Sequence, residues 1–236
     1  IINLELIFAD LETVTKKLLK TEKLLKTNND QIKKEYQILL KLKKELEDGR
    51  FISSNEMSDD EKVFVRNLQL LTTKPIFYIA NISDDLESKD LLNNFKEFAN
   101  ESNHEVVPTF IKNEQEIASL EENEKNEYLE LLGMDEPVLN KIIFKGYQIL
   151  GLQTYFTAGP QEIRAWTIPI NTAAPKAAGI IHTDFERGFI KAEVISFNDF
   201  IDNKGEAGAK ENGKWRLEGK DYIVNDGDII HFKFNV

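Results

Sequence analysis

The chain of 236 residues contains no cysteine and no apolar run long enough for a membrane-spanning helix. The absence of cysteine excludes disulfides, thiolate metal sites and cysteine-based catalysis. The first residues, IINLELIFADLE, lack the basic start and small-residue cleavage site of a signal peptide. With 41% apolar and 30% charged residues, the composition is typical of a soluble globular protein. We therefore expect a cytoplasmic protein with no membrane partner.

The net charge of −11 is distributed unevenly along the chain. Residues 11–50 carry eleven Lys or Arg and seven Asp or Glu, a local charge of +4 that leaves −15 on the remainder. An acidic body with one basic segment predicts that a polyanion would be met by that segment.

Two apolar series at alternating spacings of three and four predict a helical hairpin near the N-terminus. The first series lies within residues 4–25, with only Thr21 breaking it, and the second lies within residues 32–46. The polar stretch TNND separates the two series. After the hairpin, Ser58-Asp-Asp-Glu61 has the pattern of a capping box and predicts a short helix through Leu71.

The stretch KPIFYIANISDD, residues 74–85, is a short apolar run that ends in an Asn and a pair of carboxylates. The run predicts a parallel strand over residues 76–80 that is buried on both faces. Helical spacing of apolar residues follows at 91–98, and a second short strand is predicted at 104–108. Strand, helix and strand make a βαβ unit, whose ligands bind beyond the carboxyl ends of the strands. Further helices are predicted at residues 114–132 and 140–150.

From about Gln153 the sequence changes to short alternating segments separated by turn signals such as Gly-Pro and Asn-Asp-Gly-Asp. One helix is predicted among them, at residues 173–181. Strands and one helix in this order predict a small α+β sheet, for which the β-grasp is the natural candidate. The predicted strands are residues 154–157, 164–168, 189–195, 221–224 and 229–234.

The phosphate-binding signature of a P-loop hydrolase, G-x-x-x-x-G-K-[ST], is missing. The first glycine is Gly49, and the Gly-Lys pairs at Gly213 and Gly219 are followed by Trp and Asp. Asp202-Asn-Lys-Gly205 matches the switch pattern D-x-x-G, but its position in a C-terminal loop indicates a chance match. We expect no catalytic residue, no metal ligand and no tight nucleotide binding in this chain.

Three long segments of the second half have a familiar sequence: GYQILGLQTYFTAGPQEIRAWTI (146–168), AAGIIHTDFERGFIKAEVI (177–195) and WRLEGKDYIVNDGDIIHFKFNV (215–236). They closely resemble the Obg-like ATPases of the YchF group, which includes proteins described as GTP-dependent nucleic acid-binding proteins and ribosome-binding ATPases. ELIFADLETVTKKL at 5–18 and KPIFYIAN at 74–81 are also similar to that family. The resemblance covers essentially the whole chain, but the family's P-loop, switches and metal-binding positions would precede Ile1. The chain therefore resembles the C-terminal two-thirds of such a protein.

The resemblance implies a fold class of α/β plus α+β and sets the expected domain boundaries. Residues 1–10 and 72–152 would form the C-terminal part of a P-loop G domain with a Rossmann-like fold. Residues 11–71 would be an inserted antiparallel coiled-coil hairpin, and residues 153–236 a TGS domain of β-grasp (ubiquitin-like) fold. ATP or GTP with Mg²⁺ would be the cofactor of the full-length protein.

Residues 81–84, Asn-Ile-Ser-Asp, match the family's base-recognition loop. GTPases read guanine there with N-K-x-D, whereas the family resembled here is similar to N-x-x-E and accepts adenine. The chain lacks the Lys, like the family, but has Asp84, like a GTPase. A lost bidentate base contact is worth roughly 1–3 kcal/mol, so the Asp leaves both adenine and guanine open. The rival interpretation is an Asx turn that caps a helix starting near Ser88.

A second base-contacting loop is expected at Thr109-Phe-Ile-Lys112, where the family usually has a small-residue motif such as S-A-K. Phe110 and Ile111 are bulkier, so we expect backbone contacts or edge packing from them. The predicted base-binding residues are Asn81, Ile82, Asp84, Phe110 and Ile111.

The family resemblance implies the ribosome or RNA as partner, with no DNA sequence specificity. The Lys-rich hairpin would contact RNA phosphates, although a solvated coiled-coil face is the simpler interpretation. TGS domains are also associated with RNA or ribosome contact, which makes cations of the C-terminal region candidates. The predicted contact residues are Lys16, Lys17, Lys20, Lys23, Lys33, Lys34, Lys41, Lys191, Lys214, Arg216 and Lys220.

His182, Asp184 and Arg187 in IIHTDFERGF resemble part of a catalytic group, but no partner nucleophile lies in reach by sequence. His104 and His231 make no metal-ligand spacing with His182. A structural histidine beside an Asp-stabilised turn is the favoured interpretation.

Two functions from different classes follow. The chain is the C-terminal portion of a ribosome-associated nucleotide hydrolase that couples nucleotide state to ribosome or RNA binding. The alternative is a non-enzymatic RNA- or ribosome-binding module made of the basic hairpin and the TGS domain. The TGS-bearing editing region of a tRNA synthetase is a more distant option, because the base-reading loop and the heptad hairpin argue against it.

Overall fold

The computed structural model describes residues 1–53, 57–83, 85–102, 104–159 and 162–235. The fold is mixed α/β, and the chain divides into two compact units, Ile1–Ile76 and Phe77–Val236. Within the described ranges, no helix combines the length and the apolar character needed to cross a membrane.

The first unit contains three helices, α1 (Ile2–Leu24), α2 (Asp30–Glu47) and α3 (Asp59–Leu68). A 3₁₀ turn at Leu25–Thr27 leads from α1 towards α2, and the side chain of Asn29 caps the start of α2. Because so few residues connect α1 and α2, the two helices form a hairpin.

The apolar face of this hairpin follows the predicted spacing, except at its first residue. Leu4 is half exposed, whereas Thr21, which interrupts the apolar series, is buried. The Thr21 hydroxyl donates a hydrogen bond to the carbonyl oxygen of Lys17 at 3.0 Å. Because its hydroxyl is satisfied in this way, the polar side chain can be buried between the two helices. The buried apolar residues are Ile7, Val14 and Leu18 of α1 and Leu39, Leu42 and Leu46 of α2.

Asp10 of α1 holds the base of the hairpin. Its side chain is only 3% exposed. Its two carboxylate oxygens accept hydrogen bonds from the backbone N–H of Leu71 at 2.8 Å and of Thr72 at 2.7 Å. The carboxylate therefore ties the first helix to the chain that leaves the third. An isolated Asp between apolar residues gives no sequence signal for this role.

The predicted capping box at the start of α3 is confirmed. The Ser58 hydroxyl accepts a hydrogen bond from the Glu61 N–H, and the Glu61 carboxylate accepts one from the Ser58 N–H. The predicted end of the helix at Leu71 is wrong, because α3 ends at Leu68. The amide of Leu71 bonds to Asp10 and is thereby taken out of the helix.

The second unit begins with β1 (Tyr78–Asn81), α4 (Leu86–Glu101) and β2 (Val106–Thr109). β1 and β2 pair in parallel, so the predicted βαβ unit is confirmed. On one side of it, Tyr78 packs its ring edge against Phe95 of α4 and against His104, with ring centroids 5.1 and 5.6 Å apart.

Three helices follow β2. They are α5 (Ile111–Ser119), α6 (Glu122–Leu131) and α7 (Val138–Ile149). The single helix predicted at 114–132 is wrong, because Leu120 has an extended backbone with ψ 152° that ends α5. A new capping box then starts α6.

The C-terminal sheet has five strands: β3 (Leu152–Ala158), β4 (Ile163–Pro169), β5 (Phe189–Ile195), β6 (Arg216–Glu218) and β7 (Ile229–Phe234). Their order across the sheet is β4-β3-β7-β5-β6. β3 and β7 run in parallel, and the other neighbours are antiparallel.

The strand predicted at residues 221–224 is wrong, and the strand paired with β5 in its place is β6. Ile223 forms only an isolated bridge to Ala173. The buried carboxylate of Asp228 accepts hydrogen bonds from the Tyr222 hydroxyl and the Asn225 N–H. These bonds hold the segment in a turn, so it does not form a strand of the sheet.

The core of this sheet lies between its inner face and the small residues of the helix α8 (Ala174–Ile181). Tyr155 of β3 is fully buried, and its hydroxyl donates a hydrogen bond to the carbonyl oxygen of Ala177 at 2.9 Å. Burial raises the pKa of the Tyr155 hydroxyl well above its ordinary value. The helices of this region are α8 (Ala174–Ile181), α9 (Thr183–Arg187), α10 (Phe197–Asp202) and α11 (Glu206–Glu211).

Candidate functional site

The carboxyl ends of β1 and β2 form the first candidate site. The register pairs Asn81, the last residue of β1, with Thr109, the last residue of β2. One residue further on, the Ile82 N–H donates a hydrogen bond to the Thr109 carbonyl oxygen at 3.0 Å. Parallel strands bring their following loops to one edge of a sheet. The two predicted base-contacting loops therefore leave the sheet side by side.

The first loop turns into α4 through a network around Asp85. Asp85 is the N-cap of α4, and its carboxylate accepts hydrogen bonds from the Ser88 N–H at 2.7 Å and from the Ser83 hydroxyl. These bonds, led by the one from Ser83, hold the pKa of the Asp85 carboxyl below its ordinary value. The helix-capping interpretation of this loop therefore applies to Asp85. The predicted base-reading residue, Asp84, lies outside the described residues.

The second loop places its apolar side chains at the start of α5. Thr109 is buried, and Phe110 is the N-cap residue of α5 without a side-chain hydrogen bond. Ile111 is 51% exposed. The structure thus brings Asn81, Ile82, Phe110 and Ile111 to one edge, as the sequence pattern predicts.

The hairpin lysines form the second candidate site, and all seven that were predicted as RNA contacts are exposed. Two of them are in ion pairs along their own helices, Lys16 with Glu12 and Lys33 with Asp30. In the described part of the chain, the remaining five form no ion pair within 4 Å. They are Lys17, Lys20, Lys23, Lys34 and Lys41.

Comparison with known proteins shows which family the chain resembles. Residues 152–235 match the family model YchF-GTPase_C, described as a protein of unknown function (DUF933). The whole chain is 50% identical to the ribosome-binding ATPase YchF of Pasteurella multocida and 49% identical to that of Bacillus subtilis, covering 65% of each. The chain is therefore similar to YchF proteins along its whole length. It spans about 65% of the length of these curated relatives and matches their C-terminal part.

Solved structures agree with this similarity. The structure of the Schizosaccharomyces pombe YchF GTPase superposes with a TM-score of 0.80 at 34% identity. The match covers 98% of this chain and 64% of that one. The mixed α/β architecture described above is therefore the architecture of the corresponding part of a YchF protein.

The predicted cations of the C-terminal region of this chain are mostly held in contacts within the unit. Lys214 Nζ lies 3.1 Å from a carboxylate oxygen of Asp199. Arg216 pairs with Glu218 at 3.4 Å and with Asp228 at 3.7 Å. Lys191 is half-buried and Lys220 is exposed. Lys220 is therefore the most available of the four, whereas Lys214 and Arg216 would have to leave their partners to contact RNA.

A buried polar cluster below these cations was not predicted. Asp228 is 2% exposed, and it accepts hydrogen bonds from the Tyr222 hydroxyl at 2.7 Å and the Asn225 N–H at 2.8 Å. Arg216 lies on its other side and also donates a hydrogen bond to the Tyr222 oxygen at 3.2 Å. Burial, followed by the bond to Asp228, raises the pKa of Tyr222 to about 12. All of these groups are satisfied, which indicates a structural role.

His182 has a capping role in the structure. Its Nδ1 accepts a hydrogen bond from the Asp184 N–H at 3.2 Å at the start of α9. Asp184 in turn lies 3.6 Å from the Arg187 guanidinium. This arrangement agrees with the structural interpretation of the three residues. Among the described residues, no group of three or more His, Asp or Glu side chains could hold a metal ion.

Proposed function

We propose that this chain is the C-terminal part of a ribosome-associated nucleoside triphosphatase, in which its β1 and β2 loops contact the nucleotide base. The observation that carries the proposal is the pairing of Asn81 with Thr109, which sets both loops at one edge. The relatives are named ribosome-binding ATPases, which supports nucleotide use and ribosome binding in the full-length protein.

Asp84 weighs against adenine at this site, whereas the names of the relatives weigh for it. A carboxylate facing guanine accepts hydrogen bonds from N1–H and the amino group, whereas facing the N1 lone pair of adenine it is left unpaired. The relatives are named ATPases, so we propose adenine as the base, with Asn81 and Ile82 as the main contacts. Phe110 and Ile111 would pack against the base edge. Replacing Asp84 with Asn should then favour adenine further, because an amide can donate to N1.

The remaining fold assignments also belong to this proposal. The strand order β4-β3-β7-β5-β6 is second-first-fifth-third-fourth in the sequence of the sheet's own strands, which supports a β-grasp TGS domain at residues 153–236. The heptad-spaced core of α1 and α2 supports a coiled-coil hairpin inserted at residues 11–71. Residues 1–10 and 72–152 would belong to the G domain. A protein with these partners would reside in the cytoplasm.

Phosphate and Mg²⁺ would be held by family segments that this chain does not match. Phosphoryl transfer depends on those groups for positioning and charge stabilisation. The purified chain is therefore expected to bind nucleotide weakly and to show no turnover of ATP or GTP with Mg²⁺. Turnover that co-purifies with the chain and is altered by Asn81→Ala would overturn this part of the proposal.

The exposed lysines of the hairpin favour a second function, that of a ribosome-binding module that needs no hydrolysis. Cosedimentation with ribosomes tests it in the isolated chain. Lys17→Glu/Lys20→Glu should reduce the bound fraction strongly, because both cations are exposed and have no ion-pair partner among the described residues. Lys96→Glu/Lys141→Glu makes the same charge change on exposed sites of the second unit and should leave binding nearly unchanged. If the wild-type chain does not cosediment, the module function is refuted.

A further inference from the structure

A cleft beside α3 differs in charge from the other clefts described on this molecule. It has a volume of about 570 Å³, and among the described residues it is lined by Lys62, Arg66 and Lys74 but by no carboxylate. The cleft between α2 and α3 mixes lysines with glutamate and aspartate, and the cleft among α5, α6 and α7 is mainly acidic. In a chain of net charge −11, a cleft with cations alone is exceptional.

The cations of this α3 cleft are not neutralised by their neighbours. In the described part of the chain, Arg66 and Lys74 form no ion pair within 4 Å. Lys62 has one partner, Asp59, at 3.7 Å, and that carboxylate is fully exposed. Such a contact between exposed groups is worth only about 0–1 kcal/mol, so it leaves Lys62 free to exchange partners.

The walls of the α3 cleft strengthen the field of these charges. Val65 and Leu70, both buried, line the cleft together with the exposed Pro75. Clefts with charges of one sign and low-dielectric walls concentrate counter-ions. Lys62 and Arg66 are one helical turn apart on α3, which separates their Cβ atoms by about 5–6 Å. Lys74 also lines the cleft and belongs to the segment that follows α3.

The geometry favours an extended polyanion over a single small anion. The lining shows three separate cations on long side chains, two Lys ammonium groups and one Arg guanidinium, which suit successive phosphates of a chain.

We propose that the α3 cleft binds the phosphate backbone of RNA through Lys62, Arg66 and Lys74. This contact rests on the proposed ribosome association and gives it a second site, separate from the lysines of α1 and α2. Sequence reasoning placed none of these three residues among the RNA contacts, because they lie outside the heptad-patterned helices.

Binding of a fluorescent single-stranded oligouridylate to the whole chain, followed by anisotropy at several salt concentrations, tests the proposal. Arg66→Gln/Lys74→Gln removes two phosphate contacts and should lower the salt slope by about 1.4, which weakens binding roughly 25-fold at about 0.1 M salt. Lys96→Gln/Lys141→Gln is the matched control and should keep the wild-type slope. Circular dichroism of each variant verifies that the helices are intact.

Each outcome decides between possibilities. An unchanged salt slope in Arg66→Gln/Lys74→Gln, or no binding of RNA by the wild-type chain, overturns the proposal. Equal competition by inorganic tripolyphosphate at the same phosphate concentration would assign the cleft to small phosphates and overturn the RNA assignment. Ribosome cosedimentation is measured in parallel. Its absence in the wild type with cleft-dependent RNA binding intact would refute ribosome association alone.

Discussion

Replacing Asp10 with alanine should destabilise the first unit by roughly 2–4 kcal/mol, because two charge-assisted hydrogen bonds are lost. The Thr72 residue is 4% exposed, so its N–H would be left buried without an acceptor. The Leu71 residue is 37% exposed, so water can replace part of its lost bond. If water reaches both amides in Asp10→Ala, the loss of stability lies in the lower half of this range. Asp10→Asn keeps one acceptor oxygen and should fall between wild type and alanine.

Urea unfolding followed by far-ultraviolet circular dichroism measures this effect. At an m-value of about 2 kcal/mol/M, the expected loss shifts the helical transition by about 1–2 M. Both tryptophans, Trp166 and Trp215, lie in the second unit, so their fluorescence reports on that unit separately. Glu12→Ala is the control, since it removes an exposed carboxylate from the same helix. An unfolding midpoint for Asp10→Ala equal to that of Glu12→Ala would refute the stabilising role of the Asp10 hydrogen bonds.

Three further predictions concern the stability of the second unit. Tyr222→Phe should lower the stability of the sheet unit by about 1–2 kcal/mol in guanidinium unfolding followed by tryptophan fluorescence, because Asp228 loses a buried donor. The pKa of Tyr222 is raised to about 12 in the folded chain, so its stabilisation is complete below pH 10 and is lost as the pH rises through 12. Tyr222→Phe should flatten that decline, and an unchanged pH profile would contradict the assignment. Gly208→Ala should destabilise the chain despite the better helix propensity of alanine, because the new Cβ would lie 2.0 Å from the Asn203 carbonyl oxygen. Gly219→Ala, where no atom of the described residues lies within 4 Å, should be neutral, and thermal melts of the two variants measure both effects.

The elements that sequence reasoning located well are those whose signal is local. The hairpin, the capping box at Ser58 and the strands β5 and β7 follow from periodicity and end signals within a few residues. The two loops at the end of the βαβ unit are positioned by the same local rules. Their meeting at Asn81 and Thr109 could be expected because parallel strands share an edge.

The elements that were missed depend on contacts distant in sequence. α3 stops short of Leu71 because Asp10, sixty-one residues earlier, takes that amide. The segment around Ile223 reads as a strand, but the buried Asp228 recruits its neighbours into a turn. The α3 cleft could not be predicted from the sequence either, since Lys74 lines the same cleft as Lys62 and Arg66 only in the folded chain. A lone buried carboxylate or a cation in a loop carries no periodic signal.

The most direct test of the account is an amide NMR titration of the chain with millimolar ATP, GTP and UTP. The central claim is that the β1 and β2 loops contact a purine base together. The amides of Ile82, Phe110 and Ile111 should therefore shift with ATP, less with GTP and least with UTP. Asp84→Asn should increase the response to ATP relative to GTP. Equal shifts with UTP, or no shift in either loop with any nucleotide, would contradict the claim.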